Sequence, residues 1–152
     1  MNLITRLTRN RLAYRNYDYL VNHDVYLVVR GLGMTQLNQE KCVACRRDSP
    51  PVEREEVAEL HAQVSDWDLI SEDGISKLDR VFKFNNFQHA LDFTNEVGSL
   101  AESEGHHPRL TTEWGRVAVT WWTHKIRNLH RNDFVMAAKS DQIYRDLVAD
   151  DT

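Results

Sequence analysis

This sequence of 152 residues has few cysteines, no excess of positive charge and no long apolar run. The two cysteines, Cys42 and Cys45, form a single C-x-x-C pair. A disulfide-stabilised domain would carry more cysteines, and a structural zinc site would need a second pair of ligands. Reduced thiols without a role are therefore predicted, with a metal or redox role as the alternative, and the chain is predicted to be cytoplasmic.

The charge balance and hydropathy exclude two further classes of partner. The net charge is -4, so the composition does not indicate a nucleic-acid-binding surface. No apolar run reaches the roughly 20 residues that a membrane helix requires. With 41% hydrophobic and 28% charged residues, the sequence has an ordinary globular composition, and its length fits one domain.

Residues 1–33 differ in composition from the rest of the chain. They hold five arginines and two aspartates, so their charge is +3, which leaves -7 on residues 34–152. Three interpretations are an extension from a misplaced start codon, a targeting peptide, or an appended segment with a weak strand in "DVYLVVRGL". The first and third are favoured, since aspartates and many tyrosines fit a transit peptide poorly. An N-terminal extension over residues 1–33 and a folded domain over residues 34–152 are predicted.

Hydrophobic periodicity predicts a helix and a hairpin in the first half of this domain. Residues 35–50 are polar and are predicted as a loop. Residues 73 and 74, Asp-Gly, predict the turn of a hairpin over residues 66–84, because glycine tolerates the positive φ of tight turns. Residues 52–64 predict the first helix, in which four side chains share one face: Val57, Leu60, His61 and Val64.

The second half predicts a helix, a hairpin and a last helix. Residues 85–105 form the clearest helix, with Asn85 or Asn86 capping its start and Gly105 at its end. Two short strands follow, over residues 110–114 and 116–124, and then a helix over residues 130–149. The apolar stripe of the second helix is predicted to comprise Phe87, Ala90, Leu91, Thr94, Val97, Leu100 and Ala101.

The order of elements is therefore α-β-β-α-β-β-α. Adjacent strands joined by short turns predict a four-stranded antiparallel sheet, and the helices are expected to pack on one of its faces, which gives the α+β class. The uncovered face and the edge strands need protection, so a homo-oligomer is predicted.

Histidine is concentrated in residues 106–130, which hold four of the seven histidines of the chain. His106 and His107 precede Pro108, which restricts the residue before it to extended backbone, so the corner is stiff and the adjacent side chains diverge. His124 ends a strand, where functional sites are common. Glu102 lies four residues before His106, and its carboxylate can orient an imidazole.

Other interpretations of the histidines start from the residues alone. His23, His61 and His89 are interpreted as caps or surface residues, and His130 as an N-terminal helix residue. Three imidazoles and a water would make a zinc centre. Two adjacent residues in an extended segment rarely aim at one ion, so no metal site is predicted.

These residues follow a known motif, and every spacing in it fits. The chain resembles the pterin-4a-carbinolamine dehydratase family, also called the dimerisation cofactor family, in its bacterial branch. Stretches such as "EKCVACR", "FKFNNFQHALDF" and "NDFVMAAK" extend the resemblance over about residues 37–144, and residues 1–33 have no counterpart in the family. The motif is read as Glu102, three residues, His106-His107-Pro108, five residues, Trp114, nine residues, His124, eight residues and Asp133.

The resemblance implies the fold above, dimers or tetramers, and an enzyme. The implied activity is dehydration of 4a-hydroxytetrahydropterin to the quinonoid dihydropterin, which recycles the pterin cofactor of aromatic amino acid hydroxylases. The reaction needs two proton movements and neither a metal nor a redox cofactor, so no cofactor is predicted. Imidazole can act as acid or base at neutral pH.

Roles for individual residues follow from the same resemblance. His106 and His124 are expected to handle protons beside the 4a carbon, and His107 to hold or protonate the pterin from the other side. Glu102 and Asp133 would orient these histidines and balance their charge. The residues expected to line or stack on the substrate are Pro108, Thr123, Trp67 and Trp114.

Two other functions are compatible with the resemblance. One is a binding module, because the family includes proteins that stabilise the dimer of a transcription factor. The other is a dehydratase-like protein that acts on a different pterin, for example in molybdopterin metabolism. The complete histidine motif favours the enzyme, since a scaffold need not keep His106, His107 and His124 together.

Overall fold

A computed structural model describes residues 36–149, so the predicted N-terminal extension and its weak strand lie outside the described residues. Within this range the predicted order of elements and the α+β class are confirmed. No helix in this part of the chain is long and apolar enough to cross a membrane. The helices are α1 (Arg54–His61), α2 (Phe87–Glu104) and α3 (Arg131–Ala149), the strands are β1 (Asp68–Glu72), β2 (Ile75–Lys83), β3 (Arg109–Glu113) and β4 (Arg116–Trp121), and short 3₁₀ helices span Leu37–Gln39 and Ala62–Val64.

The four strands form one antiparallel sheet in the order β1-β2-β4-β3. Asp73 and Gly74 join β1 to β2 with φ of 54° and 71°, the double positive φ that a two-residue hairpin turn requires. In the pairing of β3 with β4, Arg109 lies opposite Thr120. This register brings the residues just before β3 alongside the residues just after β4, and so places the two histidine segments together.

The core lies between the sheet and the helices. β4 presents Val117, Val119 and Trp121 to the helices, all fully buried. Arg80 is a polar exception on the same face of β2, and its guanidinium is held by Asp141 of α3 at 2.7 Å. The other main contributors to the core are Leu78 and Phe82 of β2, Ala90, Phe93, Val97 and Ala101 of α2, and Phe134, Met136 and Ala137 of α3.

Three details of the predicted pattern are wrong. Phe87 and Leu91 are 46% and 36% exposed, and Phe93, absent from the predicted stripe of α2, is buried. The predicted apolar stripe is rotated away from the buried face of α2, because apolar residues occupy more than one face of this helix. Leu37 is buried in a 3₁₀ helix that packs on α3, within the segment predicted as loop. β4 ends at Trp121 rather than at residue 124, although Thr123 still forms a bridge with Asn128.

We expect Asn86→Ala to lower the free energy of unfolding by about 1 kcal/mol. The Asn86 side chain accepts a hydrogen bond from the backbone N–H of His89 at 2.8 Å and caps the start of α2. Urea denaturation would measure the loss, with Asn85→Ala as the matched neighbour that removes no cap. Equal stability of the two variants would contradict this role for Asn86.

Candidate active site

One cavity of about 650 Å³ gathers the histidine-rich segments. Its walls come from three places in the chain: the loop before α1, the end of α2 with the residues that follow it, and the end of β4. The structure therefore brings together His106, His107, Thr123 and His124, four of the residues that the sequence singles out. The cavity is lined by Cys42, Ala44, Cys45, Glu104, Gly105, His106, His107, Thr123, His124 and Lys125.

The end of α2 sets the directions of the two adjacent histidines. Gly105 has φ of 62°, the left-handed conformation that ends a helix, and the next N–H, that of His106, returns to the carbonyl of Ala101 at 3.1 Å. After this turn His106 is directed inward and is 7% exposed, whereas the side chain of His107 is 55% exposed. The stiff corner thus separates one buried from one accessible imidazole.

His106 is held by a buried carboxylate. Its Nε2 lies 2.6 Å from Oδ1 of Asp133, which is fully buried, and its ring stacks on Trp121 with an interplanar angle of 13°. Oδ2 of Asp133 accepts from the Thr123 hydroxyl at 2.9 Å and from the backbone N–H of His130 at 2.7 Å. Because a carboxylate only accepts, Nε2 of His106 carries the hydrogen and Nδ1 keeps a free lone pair.

The rings of His107 and His124 are also held by acceptors at Nε2. Nε2 of His107 lies 2.9 Å from Oε1 of Glu102, and Nε2 of His124 lies 3.3 Å from the carbonyl oxygen of His107. The ring of His124 also packs on Trp122, with centroids 4.2 Å apart. Each of the three imidazoles therefore directs Nε2–H to an acceptor and leaves Nδ1 free, which equips the cavity to give and take protons.

Some residues predicted to touch the substrate lie elsewhere. Trp67 is 1% exposed in the core, where its indole N–H donates to Asp141 at 2.8 Å. Trp114 lies in the β3–β4 turn and is 73% exposed. Neither tryptophan lines the cavity, so the predicted stacking on the substrate does not fit this structure. Pro108 follows His107 and is half-buried, and it too is absent from the cavity lining.

The cavity also contains residues to which the sequence had assigned no role. Cys42 and Cys45, interpreted above as thiols without a function, line it together with Glu104 and Lys125. The carboxylate of Glu104 accepts from the backbone N–H of Cys42 at 2.9 Å, and Lys125 donates to the carbonyl of Cys45 at 2.8 Å. For the two cysteines the sequence offers only the C-x-x-C spacing, which does not indicate what they contact, and for Glu104 and Lys125 it offers no signal.

The two thiols are uncharged in this setting. Burial raises the pKa of Cys42 to about 12, and burial also raises the pKa of Cys45, with the Asp133 carboxylate adding to the effect. Within residues 36–149, no group of three or more His, Cys, Asp or Glu side chains is arranged to hold a metal ion. The cavity therefore combines imidazoles and neutral thiols with two charged residues, Glu104 and Lys125.

Glu104 makes part of the stability of the fold pH-dependent. Burial opposes its ionisation, but hydrogen bonds from Lys139 and from the Cys42 N–H lower its pKa below the ordinary value of about 4.5. A lowered pKa means that the unfolded chain binds more protons, so the stabilisation is present above pH 4.5 and is lost as the pH falls below it.

We therefore expect the difference in unfolding free energy between wild type and Glu104→Gln to shrink as the pH falls below about 4.5. Urea denaturation at a series of pH values would measure this difference. Glu96→Gln, on the exposed surface of the same helix, is the matched control. A difference for Glu104→Gln that is constant with pH would contradict this effect.

Comparisons with known proteins give one family model, a curated relative and a solved structure that are similar to this chain. Residues 50–143 match the family model described as pterin 4 alpha carbinolamine dehydratase. A curated protein of Nitrosococcus oceani, named "Putative pterin-4-alpha-carbinolamine dehydratase", is 56% identical over 112 residues, which cover 74% of this chain and 99% of that protein. The crystal structure of a transcriptional coactivator/pterin dehydratase from Brucella melitensis has a TM-score of 0.56 and 30% identity, and the match covers 62% of this chain and 98% of that one.

Proposed function

The chain belongs to the pterin-4a-carbinolamine dehydratase family, and on that basis we propose that it converts 4a-hydroxytetrahydrobiopterin to quinonoid dihydropterin and water by histidine acid–base catalysis. The family is a hydro-lyase family, so the class of reaction follows from membership. The observation that carries the finer proposal is the single cavity that holds three imidazoles, each with Nε2 on an acceptor and Nδ1 free.

The reaction explains why such a cavity is needed. The bond between C4a and the hydroxyl oxygen breaks, the oxygen takes a proton and leaves as water, and a ring N–H proton is removed as the C=N bond forms. One group must donate a proton and another must accept one. Groups positioned for such transfers typically contribute about 10²–10⁴-fold to the rate.

His106 is the base in this proposal. Asp133 fixes the ring and faces it with a negative charge, which stabilises the positive charge that develops when Nδ1 takes the proton. The Thr123 hydroxyl in turn fixes the other oxygen of Asp133. The pair therefore has the arrangement of an oriented base supported by a buried carboxylate.

His124 is the acid, in its protonated form with a hydrogen on Nδ1 as well as on Nε2, and His107 binds the pterin. His124 is exposed, so water can return a proton to its ring after each turnover, while Trp122 and the His107 carbonyl hold its orientation. His107 is oriented by Glu102 at the accessible side of the cavity. This arrangement places the two proton transfers on different imidazoles.

The cellular setting belongs to the same proposal. The substrate is the pterin product of aromatic amino acid hydroxylases, so such a hydroxylase is the functional partner, in the cytoplasm. Cys42 and Cys45 are free, as expected in a reducing compartment. A homodimer or homotetramer is proposed because Leu69, Val81 and Phe87 leave apolar surface exposed on strands and helix.

A coupled assay tests the proposal. A phenylalanine hydroxylase would generate the 4a-hydroxytetrahydropterin, and its ultraviolet decay would be followed with and without this protein. We expect faster decay with wild type and the spontaneous rate with a His106→Ala/His124→Ala double variant. No acceleration by folded wild-type protein at micromolar concentration would contradict the proposed function.

A further inference from the structure

The loop Cys42–Cys45 forms one wall of the cavity that holds His106, His107 and His124, which we call the site cavity. Cys42, Ala44 and Cys45 line the site cavity, whereas Val43 lines a second cavity of about 320 Å³. The loop is therefore a partition whose successive residues face two different spaces. Ala44 is itself exposed, and its side chain is a single methyl group.

One buried side chain, Asn132, holds this loop in place. Its Oδ1 accepts from the backbone N–H of Val43 at 3.1 Å, and its Nδ2 donates to the carbonyl of Val43 at 2.7 Å. Nδ2 also lies 3.1 Å from Sγ of Cys45. A single amide thus satisfies both backbone groups of Val43, as a neighbouring strand would, and leaves the thiol on the cavity side.

Asn132 directly precedes Asp133 in the first turn of α3. Asp133 holds His106, and Asn132 holds the Cys42–Cys45 loop. The first turn of α3 therefore holds two walls of one cavity in place. The contact of Asn132 with Val43 joins residues 89 positions apart in the sequence.

The Cys45 thiol is fixed in an orientation as well as a position. His130 Nδ1 accepts from the backbone N–H of Asn132 at 3.2 Å, so this nitrogen carries no hydrogen. Sγ of Cys45 lies 3.8 Å from the same nitrogen, which the S–H group can reach as a donor. The loop therefore presents neutral, polarisable sulfur and a methyl group to the cavity, surfaces that suit the flat face of an uncharged ring.

We propose that the Cys42–Cys45 loop is a ligand-contacting wall of this site that takes the face of a pterin bicycle, and that Asn132 is the positioning residue that fixes it. This inference rests on the proposed function, because it deepens the description of the same site. It adds a second binding surface to the histidines and gives the two cysteines a role in recognition.

Enlarging Ala44 tests contact with the ligand. Ala44→Leu places added bulk in the site cavity and should raise KM about tenfold with kcat little changed. Arg47→Leu puts the same side chain on an exposed residue just after the loop that lines neither cavity, and should leave KM unchanged. Both positions are exposed, so neither variant is expected to disturb folding. An unchanged KM in Ala44→Leu would overturn the proposal.

Removing the Asn132 amide tests positioning. Asn132→Ala should raise KM about tenfold and leave kcat within about twofold, because the loop moves while the three imidazoles stay. Asn95→Ala, on the exposed side of α2, is the matched control. A fall in kcat at unchanged KM would overturn the assignment of Asn132 to the binding wall.

Thiol labelling gives a readout that does not depend on turnover. The chain contains only two cysteines, so the reaction with 4,4′-dithiodipyridine reports on this loop alone. Saturating 7,8-dihydropterin should slow labelling of wild type about tenfold by blocking access. Asn132→Ala should label faster than wild type without ligand. Labelling that is unaffected by the pterin would overturn the proposal.

The two proposals fail in distinguishable ways. Wild type that accelerates carbinolamine decay, with KM and labelling unaffected by the loop variants, would leave the dehydratase and remove the wall. Wild type without turnover, in which dihydropterin still protects the thiols, would leave the wall and remove the proposed reaction.

Discussion

His106→Ala should lower kcat for dehydration of the carbinolamine by about 10²–10⁴-fold, the usual contribution of a positioned acid or base. His106 is the imidazole that combines burial with a charged partner, since its Nε2 lies 2.6 Å from the fully buried Asp133. Alanine removes the free Nδ1 from the cavity. Asp133 keeps two other donors, from Thr123 and His130, so the loss of the ring alone does not leave its carboxylate unpaired.

Chemical rescue separates a base from a structural role. The alanine variant leaves a ring-sized space beside Trp121. Added imidazole should therefore restore part of the activity of His106→Ala, and it should not increase the activity of wild type. His61→Ala, which removes an imidazole that is not part of the cavity lining, should keep the wild-type kcat. A folded His106→Ala variant with wild-type kcat would contradict the assignment of the base.

Asp133→Ala should lower the free energy of unfolding by about 3–5 kcal/mol, because three donors lose their acceptor at a cost of about 1–3 kcal/mol each. Three donors converge on this carboxylate: the His106 ring, the Thr123 hydroxyl and the His130 N–H. All three are left without an acceptor in the variant. Urea denaturation would measure the loss, and activity should fall with it because the ring of His106 is released.

Asparagine is not expected to rescue this position. Its NH₂ group can face the imidazole only if His106 carries its hydrogen on Nδ1, because Nε2 then accepts, and this tautomer removes the lone pair that the proposed base needs. Asp133→Asn should therefore lose activity although it keeps more of the stability than Asp133→Ala. Asp146→Ala is the matched control on the exposed side of α3, where surface substitutions usually change stability by less than about 0.5 kcal/mol. Similar stability losses at the two aspartates would contradict the buried-acceptor role.

The parts of the fold that could be predicted depend on local chemistry. Asp73-Gly74 adopts the two positive φ angles that its turn requires, Asn86 caps α2, and Gly105 ends it. Which side of α2 meets the sheet is not a local property. Phe87 and Phe93 are both aromatic residues of this helix, yet only Phe93 is buried, because the decision depends on how α2 packs against strands distant in sequence.

The same distinction applies to the site. His106, His107 and His124 could be singled out because they fall within one short segment, and the β3–β4 register then brings them to one cavity. The cysteine wall could not be predicted, since its backbone contacts with Glu104 and Asn132 span 62 and 89 positions. For Trp67 the residue type alone does not distinguish a core residue from a substrate contact, because its indole N–H suits a core hydrogen bond equally well.

The adjacent pair of Asn132 and Asp133 has a consequence for redesign. If α3 shifts along or about its axis, the base and the thiol wall move together, and the gap between them keeps its width. Substitution of Asn132 would release the wall, and substitution of Asp133 would release the proposed base. A cavity for bulkier pterins is therefore best sought by lengthening or trimming the Cys42–Cys45 loop, which changes the spacing and leaves the proton-transfer machinery where it stands.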